Sequence, residues 1–283
     1  MRWRTKSSGA SVLVLDYPVR PRPRYGYGSP AHPKLLAKIA EHRSAYRSLL
    51  ERMAALAPYL REIPATTTDP ASPRWGNSFC PPVDAVTLYG LIALYRPRTY
   101  VEVGSGDSTR FARRAVEDFG LDTRIVSIDP SPRTEIDALC DEVIRTPLEE
   151  ADIDLFAGLR AGDIVFHDGS HRIFQNSDAV VTFLDLLPML ASGVVLGVHD
   201  IYLPWDYPPE WAKRYYSEQY LLAAYLLADC PWLKVLLPNH FITHDEELLG
   251  ALEPIWSGPA LAGRPLHGEG FWLEIRSPAQ ESS

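Results

Sequence analysis

The chain has 283 residues, 46% of them hydrophobic and 23% charged, with a formal net charge of −8. That apolar content suffices for one large domain with an appendage, or for two small domains, and it excludes a disordered chain. The negative balance argues against broad nucleic-acid binding, which needs a basic face.

Residues 1–30 mix Arg, Pro, Gly and Tyr without period and read as a solvated, partly disordered arm able to dock on the domain. Arg2, Arg4, Lys6, Arg20, Arg22 and Arg24 form a basic strip within it. The apolar run at 12–15 is shorter than the roughly 7 to 15 residues of a secretory core. No stretch reaches the ~18 apolar residues of a membrane span. Three widely spaced cysteines, Cys80, Cys140 and Cys230, suggest neither a disulfide framework nor a CxxC metal site. The expectation is a soluble cytoplasmic protein with no membrane partner.

A helix follows the arm. Pro33 suits its first turn, and Leu35, Ile39, Tyr46, Leu49, Met53, Leu56 and Leu60 recur at helical steps to give one apolar stripe. The stripe needs a partner surface, either the main domain or a second subunit, so a homodimer is one expectation. Residues 64–73, rich in Thr and Pro, read as a linker that divides the chain at 1–74 and 75–283. Trp75-Gly-Asn-Ser-Phe79 then sets two aromatics before a helix over 83–95, and the pair reads equally as a lid over a ligand or as core anchors.

The organising stretch is residues 98–110. Its β-branched run at 99–103 predicts a buried strand, which glycines end abruptly. Gly104 and Gly106 let the backbone turn and approach a ligand. A helix over 107–117 follows, with Ser105, Asp107 or Ser108 available as its cap. Strand, turn and helix N-terminus make a nucleotide-type site. A dinucleotide fingerprint wants a third glycine at 109, where this chain has Thr109. The strand at 124–128 ends in Asp129, placed to accept both ribose hydroxyls of an adenosine, and Glu102 adds a second negative group beside the turn. Glycines flanked by two acids suit a ligand with a ribose and a cationic end better than one with a pyrophosphate. Alone, such a GxG is a tight turn of any α/β protein.

Beyond the turn, elements alternate as a doubly wound, mostly parallel α/β sheet requires. The pattern predicts a helix at 108–118, strand 124–128, helix 133–139, strand 142–145, helix 153–159, strand 163–166, helix 176–190 and strand 194–198. A helix at 210–227 and strands at 233–237 and 271–275 complete it. Ligands of such sheets lie at the carboxyl ends of the strands, where this sequence puts the glycine turn, Asp129, His167-Asp168-Gly-Ser-His171 and His199-Asp200. Asp168, His171, His199 and Asp200 can bind a divalent metal. Two carboxylates with imidazole suit Mg or Mn, whereas a two-His, one-carboxylate subset suits non-haem Fe. Capping and packing are the plainer roles open to the same residues. The aromatic, proline-stiffened loop at 202–209 either walls an acceptor pocket or only connects; His240 and His244 receive no role.

Two motifs carry a resemblance. VEVGSGDST at 101–109 and VSIDPSP at 126–132 are similar to the first and second motifs of class I S-adenosylmethionine-dependent methyltransferases. DGSH at 168–171, followed after a helix and a strand by HD at 199–200, resembles metal-dependent small-molecule and sugar O-methyltransferases. The resemblance covers roughly residues 80–200. It implies a Rossmann-like sheet of seven strands, the seventh antiparallel beside the sixth. It also implies S-adenosylmethionine held by Glu102, Gly104, Ser105, Gly106, Ser108, Asp129 and Asp168. The metal, Mg or Mn, would sit on Asp168, His199 and Asp200, with His171 as general base toward a small hydroxylated acceptor. His199 stands where an Asp is usual. Two other classes stay open: a non-haem Fe oxygenase on a related fold, and a non-catalytic protein that binds S-adenosylmethionine or a partner without transfer.

Overall fold

The run at 99–103 forms the strand its composition predicts, and a computed structural model describing residues 4–5, 11–12 and 15–276 shows the sheet built outward from it. Seven strands take part: β1 (Thr99–Val103), β2 (Arg124–Ile128), β3 (Glu142–Ile144), β4 (Ile164–His167), β5 (Val195–Val198), β6 (Leu233–Pro238) and β7 (Phe271–Ile275). Their order is β3-β2-β1-β4-β5-β7-β6. The first five are parallel, while β7 lies antiparallel between β5 and β6. This is the expected Rossmann-like sheet, including the inserted seventh strand. Val101, Val126, Val165 and Leu196 are buried because helices cover both faces, which is why these strands read as apolar runs rather than alternations. Strand order reverses between β1 and β4, so a crevice opens there at their carboxyl ends. Separately, Arg4–Thr5 pairs antiparallel with Ser11–Val12.

The stripe at 33–60, expected as one helix, is divided among α1 (Pro33–Ala40), α2 (Arg43–Ala54) and α3 (Ala57–Leu60). Across the first break the Tyr46 hydroxyl donates to the Ile39 carbonyl at 2.9 Å. A straight helix would separate those two residues by about 10 Å of rise, beyond a tyrosine's reach. All seven stripe residues are nevertheless buried in the common core. Their partner is the same chain: α2 lies so close to α4 (Pro82–Tyr95) that a Cβ at Gly90 would be 2.6 Å from Met53 Cγ.

After α5 (Asp107–Asp118) the expected helix at 133–139 shrinks to a single 3-10 turn, Asp137–Leu139. Asp129 explains this. Its Oδ1 accepts the Ser131 amide at 2.8 Å, and Pro130 and Pro132 flank that bond, so the segment runs on as a loop. The helix at 153–159 is the short α6 (Asp154–Ala157). That at 176–190 runs from α7 (Asp178–Val181) through a π turn (Thr182–Leu186) into α8 (Leu187–Met189). The helix at 210–227 is also broken. Pro209–Arg214 is a 3-10 turn, Tyr215 takes a left-handed φ of 56°, and only α9 (Glu218–Leu227) is α-helical.

Arg2 and Lys6 of the basic strip lie outside the described residues; Arg20 and Arg22 are exposed. The arm's later part docks on the 202–209 loop, where the Asp206 carboxylate accepts the Arg24 and Tyr25 amides at 2.6 and 2.9 Å and His32 donates to the Pro204 carbonyl at 3.0 Å. Among the described residues no helix is long and apolar enough to cross a membrane.

Candidate active site

Gly104 closes β1 with φ 78°, and its amide donates to the Ile128 carbonyl at 3.0 Å. A Cβ there would lie 1.9 Å from the Asp168 carbonyl oxygen, while the Asp168 amide donates to Val103 at 2.8 Å. The turns after β1 and β4 thus touch backbone to backbone, which only glycine allows. Ser105 donates its amide to Asp129 Oδ2 at 2.9 Å and pairs its hydroxyl with Ser127 at 2.8 Å. The residue capping α5 is none of Ser105, Asp107 or Ser108. It is Gly106, whose amide donates to Thr109 Oγ1 at 3.0 Å, while Asp107 pairs with the buried Arg110 at 2.6 Å.

Glu102 departs from expectation. It does not line the cleft but lies fully buried beneath the turn, accepting from the Tyr100 hydroxyl at 2.7 Å and from Thr109. Burial pushes its pKa up to about 7 against the hydroxyls that oppose the shift. It braces strand to helix, and Thr109, where a third glycine would stand, supplies the other half of that brace.

Gly104, Ser105, Gly106, Ser108, Asp129 and Asp168 do share one cleft of about 360 Å³ at the β1/β4 reversal. Phe79, under the Arg133 guanidinium at 5.0 Å, forms part of its rim, whereas Trp75 is buried against Phe111 at 5.4 Å. Trp75 is thus a core anchor, while Phe79 stands exposed at the cleft rim. A Cβ on Gly106 would meet nothing within 4 Å, and the buried Thr134 hydroxyl at the cleft wall has no hydrogen-bond partner in the protein. Open space over the α5 N-terminus, an orphan hydroxyl and carboxylates of Asp129 and Asp168 suit an adenosyl group with a cationic sulfonium.

At the Asp168 end the cleft meets a cluster of imidazoles and carboxylates. The His199 amide donates to the His167 carbonyl at 2.9 Å, which aligns the ends of β4 and β5. His199 Nδ1 lies 3.4 Å from Asp168 and 3.3 Å from Asp200; its Nε2 lies 3.0 Å from the buried Asp84. His171 Nε2 lies 3.3 Å from both Asp168 and Asp200, and its Nδ1 2.5 Å from Glu218. His171 and Asp200 both hold left-handed φ values, 61° and 56°, which cost a non-glycine residue about 1 to 2 kcal/mol and persist where the surroundings dictate them. Burial alone would lower the His199 and His171 pKa values. The carboxylates outweigh it and hold both rings well above the ordinary value: chiefly Asp168 for His199, and Glu218 with Asp168 for His171. Burial would raise Asp168, yet His199 and His171 keep it below the usual carboxylate range. Oxygen atoms of Asp168 and Asp200 and a nitrogen of His199 lie within 4.8 Å of one another, a donor set that suits a divalent cation.

Asp84, Glu218 and Glu269 were not among the expected site residues. Glu269 accepts from the Tyr202 hydroxyl at 2.5 Å, and burial beside Asp200 pushes its pKa up to about 8 despite the opposing His199. Tyr202, Leu203 and Tyr207 of the 202–209 loop are buried, and none of these lines the cleft. His240 is packed against Tyr202 and Trp205 rather than free at the surface.

Residues 101–201, from β1 to the position after Asp200, match a family described as a methyltransferase domain. Over that stretch, which includes the glycine turn, Asp129, Asp168 and His199, the chain is similar to a methyltransferase domain. No curated protein matches the chain by sequence. Among solved structures, cmcI-N160 with SAH aligns at 15% identity over 42% of this chain and 60% of that one, with a TM-score of 0.32. Cofactor-bound Rv0187 from MTB aligns at 15% over 87% and 91%, TM-score 0.44. The O-methyltransferase from Bacillus cereus with SAH aligns at 17% over 83% and 91%, TM-score 0.39. What those proteins bind or methylate remains a statement about them.

Proposed function

We propose that the protein methylates a hydroxyl of a small acceptor, with a divalent cation, Mg or Mn, on Asp168, His199 and Asp200 and with His171 as general base. Asp168 carries the reading. It lines the donor cleft and stands 3.4 Å from His199 Nδ1 and 3.3 Å from His171 Nε2, so donor, cation and base converge on one carboxylate.

S-adenosylmethionine supplies an electrophilic methyl on a sulfonium. Asp129 accepts the ribose hydroxyls, the glycine turn leaves room for the adenosyl group, and Asp168 faces its cationic end. The cation, when bound, lowers the pKa of a hydroxyl beside it. His199 fits the ligand role: Nε2 lies 3.0 Å from Asp84 and Nδ1 faces Asp168 and Asp200, so a cation that displaced the Nδ1 proton would find Nε2 already held. His171 takes the hydroxyl proton on Nε2 only from its neutral form, which Glu218, Asp168 and Asp200 disfavour, so this help, about 100- to 10,000-fold in general-base catalysis, is expected to grow as pH rises. Holding the acceptor oxygen in line with the methyl group is worth about 7 to 11 kcal/mol. The backbone contact between Gly104 and Asp168 supports that by fixing the donor turn against the base.

Calorimetric titration with S-adenosylmethionine and Mn tests the proposal. The parent binds both, and Asp168→Ala loses Mn. A parent that binds the donor but neither Mg nor Mn removes the cation from the reading.

A further inference from the structure

We propose that Asp178 is the positioning residue for the turn after β4, setting the span between Asp168 and His171 by holding Gly169 and Ser170 between them. That role rests on the proposed cation at Asp168.

In Asp168-Gly-Ser-His171 the outer residues face the site, and the inner two are spent on Asp178. Asp178 opens α7, where Ser177 caps the helix by accepting the Val180 amide at 3.2 Å. Its Oδ2 accepts the Ser170 amide at 2.6 Å, and its Oδ1 accepts the Ser170 hydroxyl and the Ala179 amide, the latter at 2.8 Å. One serine thus offers two donors to one carboxylate, which fixes its main chain and its side chain together. Gly169 makes that approach possible. A Cβ there would stand 2.0 Å from Asp178 Oδ2 and 2.7 Å from His167 Cε1, so only a residue without one passes between the two. Asp178 and Ser170 both line the donor cleft, yet the two oxygens of the acid are engaged by the turn and by its own helix.

The flanks of the turn are anchored by other groups. The Asp168 amide donates to the Val103 carbonyl at 2.8 Å, and the Ser217 amide donates to the His171 carbonyl at 2.8 Å. Arg172 Nη1 donates to the Ser170 carbonyl at 2.9 Å, and the Ser177 hydroxyl donates to the Arg172 carbonyl at 2.7 Å. Among the described residues the Ser170 amide and hydroxyl are left to Asp178. Asp168 Oδ1 and His171 Nε2, 3.3 Å apart, are the groups whose spacing the turn decides, and Nε2 lies 3.3 Å from Asp200 as well. A turn released at Ser170 lets Asp168 swing about Gly169, and the cation loses a fixed carboxylate. Asp178 is not among the donor atoms gathered at the cation site, so its effect there passes through Ser170.

The test is calorimetric titration of the full chain with Mn, run beside urea unfolding of the same samples. The parent binds Mn, and Asp178→Ala binds it about 10- to 100-fold more weakly. Asp178→Asn, whose side chain still accepts the Ser170 amide hydrogen and can donate to its hydroxyl, stays within about twofold of the parent. A role in stability alone lowers the unfolding midpoint of Asp178→Ala and leaves the Mn affinity of the folded protein unchanged. That result overturns the proposal, as does a loss in Asp178→Asn equal to that in Asp178→Ala. Should Asp178→Ala not fold, Ser170→Ala removes the hydroxyl half of the pair and weakens Mn binding about 3- to 10-fold; parent-like affinity there overturns the proposal. A parent that takes up neither Mn nor Mg removes the cation from the site, and Asp178's role with it. Binding of Mn that is indifferent to Asp178 and Ser170 removes Asp178 alone.

Discussion

Gly104→Ala and Gly106→Ala add the same methyl group two residues apart and are expected to fail differently. At Gly104 the backbone is left-handed, φ 78°, which costs alanine about 1 to 2 kcal/mol. The added Cβ would also stand 1.9 Å from the Asp168 carbonyl oxygen, and relieving such overpacking costs about 1 to 3 kcal/mol. Together these give a loss of about 2 to 5 kcal/mol, and the relief displaces Asp168 itself. At Gly106 φ is 179° and a Cβ meets nothing within 4 Å, so the stability loss is limited to the preference of a helix cap for glycine over alanine, about 1 kcal/mol. That methyl instead occupies the space assigned to the donor. Urea unfolding followed by circular dichroism, with SAH titration of both variants, separates the two effects. A Gly104→Ala protein as stable as the parent, or a Gly106→Ala protein that binds SAH as tightly, refutes the placement of the turn.

Asp129→Ala removes the acceptor of the Ser105 and Ser131 amides as well as the proposed ribose ligand. At about 1.5 to 3 kcal/mol for hydrogen bonds to a charged group, SAH affinity drops about 10- to 100-fold in calorimetry. Glu102 binds its proton more tightly folded than unfolded, with a pKa raised from 4.5 to about 7. Its stabilising share is therefore full below pH 4.5 and is lost as pH rises toward 7, a swing of about 3 kcal/mol. Glu102→Gln removes that slope in unfolding measured from pH 5 to 8, and an unchanged slope contradicts the burial argument. Asp84→Asn weakens the hold on His199, and Mn affinity falls about 10- to 100-fold; equal affinity in titration would leave Asp84 a purely structural acid.

The sheet was legible because its signals are local. β1, β2 and β5 announce themselves as short β-branched runs, and Gly104 marks its own turn. Asp168 and Asp200 were legible because strand ends are where an open sheet keeps its ligands. Glu102 was misplaced because a parallel strand is buried on both faces, so an acid within it lies inside the layer rather than at the mouth. The helix at 210–227 has the right composition, but Tyr215 leaves helical φ, and the Ser217 amide is spent on His171. Nothing local predicts that bond. Asp84 and Glu218 lie 115 and 47 residues from their histidines, and only tertiary packing joins them. A signal was present all the same: each is a lone acid in the first turn of an almost uniformly apolar helix, α4 or α9, and a buried carboxylate demands a partner.

The most direct test of the account is an anomalous-scattering map from a crystal grown with SAH and Mn. The account predicts SAH in the β1/β4 cleft with its ribose on Asp129, and one Mn peak bounded by Asp168, His199 and Asp200. SAH elsewhere, or a cleft filled with no Mn beside Asp168, would contradict the claim that donor and cation meet at that residue.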